Sequence, residues 1–128
     1  MMSIEQTIAV LARYPDIELA IVFGSVARGE ARRDSDLDIA IQKRAPLNAS
    51  EKMQLAADLA VATGRPVDLI DLHTVGEPLL GQILKHGRMI RGEAAGMTGL
   101  MQRHVYAMED FIPYVERTLG ERRHAWIG

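Results

Sequence analysis

This sequence predicts an α/β domain: a small mixed sheet flanked by helices, with an extra helical segment at the C-terminal end. Three observations carry that expectation. Two dense apolar runs, residues 17–23 and 37–41, have the length and β-branched content of buried strands, and residues 66–72 make a third. Amphipathic stretches at helical spacing lie around them. The order helix, strand, strand, helix, strand, helix then calls for a sheet with helices packed on it.

Each element has its own justification. Ser3, Ile4, Glu5 and Gln6 have the form of a capping box, and Ile4, Ile8 and Leu11 follow on one face. This predicts a helix to about Tyr14, closed by Pro15. The first strand ends at Gly24-Ser25, after which Val26-Ala27-Arg28 has room for a short helix and Gly29 to Ser35 reads as a polar loop. Leu37 opens the second strand. Asn48 and Glu51 cap a helix running to Thr63, with Met53, Ala56, Leu59 and Ala60 expected on its inner face and Gly64 as its stop. After the third strand, Pro78 opens a helix bearing Leu79, Leu80, Ile83 and Leu84, ended by Gly87. Arg88 to Arg91 suits a short edge strand. Gly92 to Gly99 is small and reads as a hinge. From about Leu100, Met101, Val105, Met108, Ile112, Val115 and Leu119 form a heptad-like seam, interrupted by Pro113. Residues 1–93 are therefore expected as the core domain and 94–128 as a helical extension, either packed on that domain or binding a partner. Trp126, beside Arg122 and Arg123, is a second candidate anchor.

Composition narrows the function. A chain of 128 residues with 48% apolar and 25% charged residues suits one globular domain. A net charge of −2 gives no basic field for nucleic acid, and six aromatic residues leave little for base stacking. With no cysteine there is neither a disulfide nor a thiolate metal site, which fits a reducing cytoplasm. No membrane-length apolar run and no signal-peptide pattern are present. The four histidines, His73, His86, His104 and His124, show no metal-site spacing.

The chemistry concentrates between Gly24 and Asp38. A Gly-Ser turn is followed after ten residues by Asp36-Leu37-Asp38. Period-two spacing puts both carboxylates on one face of a strand, roughly 6–7 Å apart along it. A charged residue inside an apolar strand needs a reason, because burying an unpaired carboxylate is costly. Pairing with Arg32 and Arg33 would be the ordinary one, and those arginines otherwise serve the surface or a partner. Asp68, at the opening of the third strand, is positioned to converge on the pair as a third metal ligand. Asp71 is offset by three and falls on the other side of that strand, so it reads as a strand-end cap. Gly24 and Ser25 offer backbone N–H groups to phosphates. Arg28 has two open readings, a phosphate contact or a solvated surface arginine.

Phe23-Gly24-Ser25-Val26-Ala27-Arg28-Gly29, Ser35-Asp36-Leu37-Asp38 and Val67-Asp68-Leu69-Ile70 resemble the minimal nucleotidyltransferase (MNT) domains of the DNA polymerase β superfamily. The resemblance covers roughly residues 4 to 91, and all three parts of its motif are intact. It implies the polymerase β-like nucleotidyltransferase fold and ATP as substrate. Gly24 and Ser25 would bind the triphosphate. Asp36 and Asp38 would coordinate two magnesium ions, and Asp68 would complete one site and help activate the attacking hydroxyl. The reaction implied is in-line attack on the α-phosphate with pyrophosphate leaving. Stand-alone members of this size are commonly antitoxins of HEPN/MNT toxin–antitoxin pairs, which implies a HEPN-type ribonuclease toxin as partner and AMP transfer to one of its tyrosines. Two alternatives stand beside that: an antitoxin acting by steric binding alone, and transfer of a nucleotide to a small-molecule hydroxyl. The partner contact is expected through Met101, Val105, Met108, Ile112 and Val115.

Overall fold

The computed structural model of the protein describes residues 2–109. Its elements are α1 (Met2–Leu11), β1 (Ile17–Phe23), α2 (Gly24–Ala27), β2 (Leu37–Lys43), α3 (Ala49–Thr63), β3 (Val67–Asp71), α4 (Leu79–His86) and β4 (Arg88–Arg91). A helix over residues 94–109 follows and is called α5. The strands form one sheet in the order β3-β2-β1-β4. β2 and β3 are parallel and joined through α3, whereas β1 is antiparallel to both β2 and β4. The small mixed sheet expected from the order of segments is present.

Alternation along the strands divides the core into two layers. Leu37, Ile39 and Ile41 of β2, with Ala20, Val22 and Leu69, pack against Ile4 and Leu11 of α1 and Leu55 and Leu59 of α3. Leu19, Ile21 and Ala40 face the other way, onto Leu80 and Ile83 of α4 and Leu100 of α5. Ile17 joins the first layer although it lies three residues from Ala20, because the pairing with β2 shifts between Ile17 and Leu19. Each fully buried Leu or Ile contributes roughly 1.5–3 kcal/mol. Both faces of the sheet are thus covered, and only its ends are free to carry polar chemistry.

Local signals act largely as expected. Asn48 and Glu51 form a reciprocal capping box on α3, and Gly64 ends that helix in the left-handed region at φ 68°. Four details differ. Ser3 lies inside α1 rather than at its cap, and its hydroxyl accepts a hydrogen bond from Arg65. α1 stops at Leu11, where Arg91 donates to the carbonyls of Leu11 and Tyr14 and closes the turn. Met53 is 74% exposed; the inner face of α3 is set by Leu55 and Leu59, and Met53 precedes Leu55 by two residues, about 200° round the helix. The expected hinge is reduced to Gly92 and Glu93, since residues 94–99 are already helical. Docking of Met97 and Leu100 on the second layer outweighs the cost of about 1 kcal/mol for each of Gly96 and Gly99. Ile112, Pro113, Val115, Leu119, Arg122, Arg123, His124 and Trp126 lie outside the described residues.

At the end of the sheet where Ile17 pairs with Lys43, the Lys43 ammonium joins three segments. It lies 2.9 Å from Asp16 in the turn after α1 and also pairs with Glu51 in the first turn of α3. Hydrogen bonds from Lys43 hold both carboxyls below their ordinary values, and the hydrogen bond to Glu51 holds Lys43 above its own. A depressed carboxyl contributes stability above its unfolded-state pKa and loses it as pH falls through the folded one. Lys43→Met is therefore expected to lower the thermal midpoint at pH 7. The gap should close as the pH falls below about 4, where carboxylates protonate, and circular-dichroism melts across pH measure it.

Candidate active site

The opposite end of the sheet holds the carboxylates. Phe23, the last residue of β1, pairs with Asp38 of β2. Asp38 in turn stands in register with Asp68 of β3. Neighbouring strands are spaced roughly 4.8 Å apart, so this parallel register sets two carboxylates side by side. Asp36 precedes Asp38 by two residues and extends the row beyond the start of β2. Leu37 is fully buried in the first layer, which fixes the parity of the strand and aims Asp38 the other way, and the charge of Asp36 reaches Asp38. Asp38 is half-buried, while Asp36 and Asp68 are exposed.

Asp38 feels the charge of both neighbouring acids. Burial raises the Asp38 carboxyl above its ordinary value, and the charges of Asp68 and then Asp36 raise it further. The Arg28 guanidinium acts in the opposite direction. Among the described residues, none of the three carboxylates is paired with a cationic side chain. No three acidic or imidazole side chains there are gathered closely enough to cage a metal by themselves. Oxygen-only donors with open positions suit magnesium, which is commonly held by one or two carboxylates together with substrate phosphates and water.

Gly24 lies directly against this row. Its φ of 70° is in the left-handed region, and a side chain there would overlap the Asp38 carboxylate. The turn from Gly24 to Glu30 is closed by backbone hydrogen bonds from Arg28 to Gly24, Gly29 to Val26 and Glu30 to Ser25. Val26 is buried under it and anchors it to the first layer. Ser25 is half-buried, and no side chain caps α2. Arg28 pairs with Glu30 at 3.1 Å on the surface, and its charge reaches Asp38.

Other sequence-level readings also find their place. Asp71 caps the end of its strand, its two oxygens accepting from the backbone N–H groups of Leu47 and His73. His73 places its Nε2 2.5 Å from the Lys43 carbonyl, at the far end of the sheet from Asp38. A depression of about 360 Å³ lined by Tyr14, Asp16, Lys43 and Glu51 belongs to that far end too. One residue near the site carried no sequence signal: Arg65, whose guanidinium reaches the loop ahead of Asp36.

A family profile described as polymerase beta, nucleotidyltransferase matches residues 5–94. The chain belongs to this nucleotidyltransferase family. A curated relative, protein adenylyltransferase MntA of Shewanella oneidensis, is 35% identical over 78 residues, covering 61% of this chain and 56% of the relative. The chain thus matches little more than half the length of that protein. A toxin–antitoxin crystal structure with AMP-PNP aligns with a TM-score of 0.68 at 28% identity, covering 97% of this chain and 94% of the other. The Shewanella oneidensis tri-AMPylated HEPN toxin in complex with MNT antitoxin aligns with a TM-score of 0.59 at 25% identity, covering 98% and 92%. For this nucleotidyltransferase, the raised Asp38 carboxyl has a measurable consequence. A carboxyl that holds its proton to higher pH when folded costs stability above that pKa, and the cost vanishes below the ordinary carboxylate range. Asp38→Asn should therefore raise the thermal midpoint at pH 7, with no gain at pH 3, as circular-dichroism melts at the two pH values would measure.

Proposed function

We propose that this nucleotidyltransferase is an antitoxin that transfers AMP from ATP to a tyrosine of a cognate HEPN-type toxin in the cytoplasm and so neutralises it. The observation that carries the reading is the Asp38–Asp68 register, extended by Asp36 and closed against Gly24. In support stand the relative named a protein adenylyltransferase and the likeness to complexes of an AMPylated HEPN toxin and of AMP-PNP. Asp36, Asp38 and Asp68 would hold magnesium ions, and Gly24, Ser25 and Arg28 would hold the triphosphate. Magnesium, when bound, neutralises phosphate charge and stabilises the oxygens on both sides of the α-phosphorus. Asp68, on the outer strand, helps activate the tyrosyl hydroxyl. The tyrosyl oxygen bonds to the α-phosphorus, the bond to pyrophosphate breaks, and the tyrosyl proton is lost to Asp68 or water.

The outer face of α5 offers the toxin a seat. Met97 and Leu100 dock that helix on the second layer, whereas Met101 and Val105 are about half exposed and Met108 lies beside them. Met101, Val105 and Tyr106 line an apolar hollow, and nothing among the described residues covers it. The toxin–antitoxin structures align along nearly the whole chain, this helix included, which favours a toxin as occupant. We assign the contact to Met101, Val105 and Met108, continued by Ile112 and Val115.

Incubation with ATP labelled at the α-phosphate, magnesium and the neighbouring gene product tests the chemistry. Label is expected on that protein with the unaltered chain and absent with Asp36→Ala/Asp38→Ala. Neutralisation that survives the double substitution would overturn the catalytic account in favour of steric binding. Separately, Met101→Glu/Val105→Glu is expected to abolish co-purification of the toxin at an unchanged thermal midpoint. Undiminished co-purification would remove α5 from the interface.

A further inference from the structure

Asp36 presents a positional problem that Asp38 and Asp68 do not share. It stands outside β2, at the end of a polar loop of which Ala31 alone packs on the core. A side chain on such a loop has no ladder to hold its backbone, and metal ligands need to be held within about 0.5 Å of their productive geometry.

Arg65 and Pro66 supply the missing restraint. Arg65 Nη1 donates to the Ser35 carbonyl at 2.9 Å and to the Arg32 carbonyl at 2.5 Å. These are the two ends of a turn that closes on itself, with Ser35 N donating to Arg32 O at 3.1 Å and Arg32 N to Ser35 Oγ at 2.8 Å. On the other side of Asp36, the Leu37 N–H donates to the Pro66 carbonyl at 2.8 Å. One dipeptide therefore grips the carbonyl before Asp36 and the amide after it. The same dipeptide leads directly into β3, where Asp68 follows two residues later. Its own position is fixed by Gly64 at the end of α3, and Arg65 Nε separately donates to Ser3 Oγ on α1 at 3.0 Å. The guanidinium spends its donors on carbonyl and hydroxyl oxygens in two directions, which the single ammonium of lysine cannot reproduce.

We propose that Arg65 is a positioning residue for Asp36, setting its distance to Asp68 and thereby the affinity of the site for divalent cations. The inference rests on the nucleotidyltransferase reading of the three carboxylates. Binding of Mn2+ in the presence of a non-hydrolysable ATP analogue, followed by electron paramagnetic resonance, tests it without turnover. Arg65→Ala is expected to weaken Mn2+ binding of the order of 10-fold, the loss typical when a partner behind a metal ligand is removed. Arg65→Lys should fall between the two, and Ser3→Ala, which cuts only the arm to α1, should bind Mn2+ as the unaltered chain does. Should Arg65→Ala lose its folded circular-dichroism signal, Arg65→Lys is read in its place, with weakening still expected. A folded Arg65 variant with unchanged Mn2+ affinity would overturn the proposal, as would an equal loss in Ser3→Ala, which would mark a merely structural role. If the unaltered chain binds no Mn2+ with the analogue, the reading of the site fails and this inference with it.

Discussion

The parallel pairing of β2 with β3 is the constraint on which the rest of the molecule turns. It sets Asp38 beside Asp68 in one row of the sheet, where like charges oppose one another and weaken the pairing. Nothing about folding alone would favour that row. It persists because the apolar residues on either side of it, Leu37 and Ile39 on β2 and Leu69 on β3, are locked into the first core layer. A slip by one residue would turn every one of them out of the core. The hydrophobic pattern thus enforces an electrostatic arrangement that is unfavourable by itself, the usual signature of a site kept for function.

The two ends of the sheet resolve charge in contrasting ways. Where Ile17 meets Lys43, one cation is shared between two carboxylates and three segments are tied together. Where Phe23 meets Asp38, three carboxylates gather with no salt bridge to a cationic side chain among the described residues, only the charge of Arg28 reaching Asp38, and Gly24 leaves the space beside them clear. The first arrangement serves stability and the second leaves room for a ligand that brings its own charge. Distance keeps them apart: the length of β1 lies between.

Much of this was legible in the residues themselves. Strands β1 and β2 follow from dense apolar runs, and α3 from Asn48, Glu51 and Gly64, because these signals act within a few residues of chain. The shared face of Asp36 and Asp38 followed from strand periodicity, and the opposite face of Asp71 from its offset of three. What escaped was whatever depends on distant partners. Met53 looked as apolar as Leu55, and only the position of α1 against α3 decides which of them turns inward. Gly96 and Gly99 marked a flexible segment by composition, but Met97 and Leu100 dock it as helix. Arg65 offered no local sign at all, since its contacts lie some thirty residues away in Arg32 and Ser35 and on α1 at Ser3.

The two-sided character of α5 has a consequence for how such a protein diverges. Met97 and Leu100 bind it to the sheet, while Met101 and Val105, on neighbouring turns, contribute little to the core. Substitutions on the outward stripe therefore escape the packing penalty that restrains the inward one. Under the proposed toxin contact, lineages can rewrite whom the helix recognises while the carboxylate row stays as it is, so mutually exclusive pairs can arise by exchanging a handful of side chains.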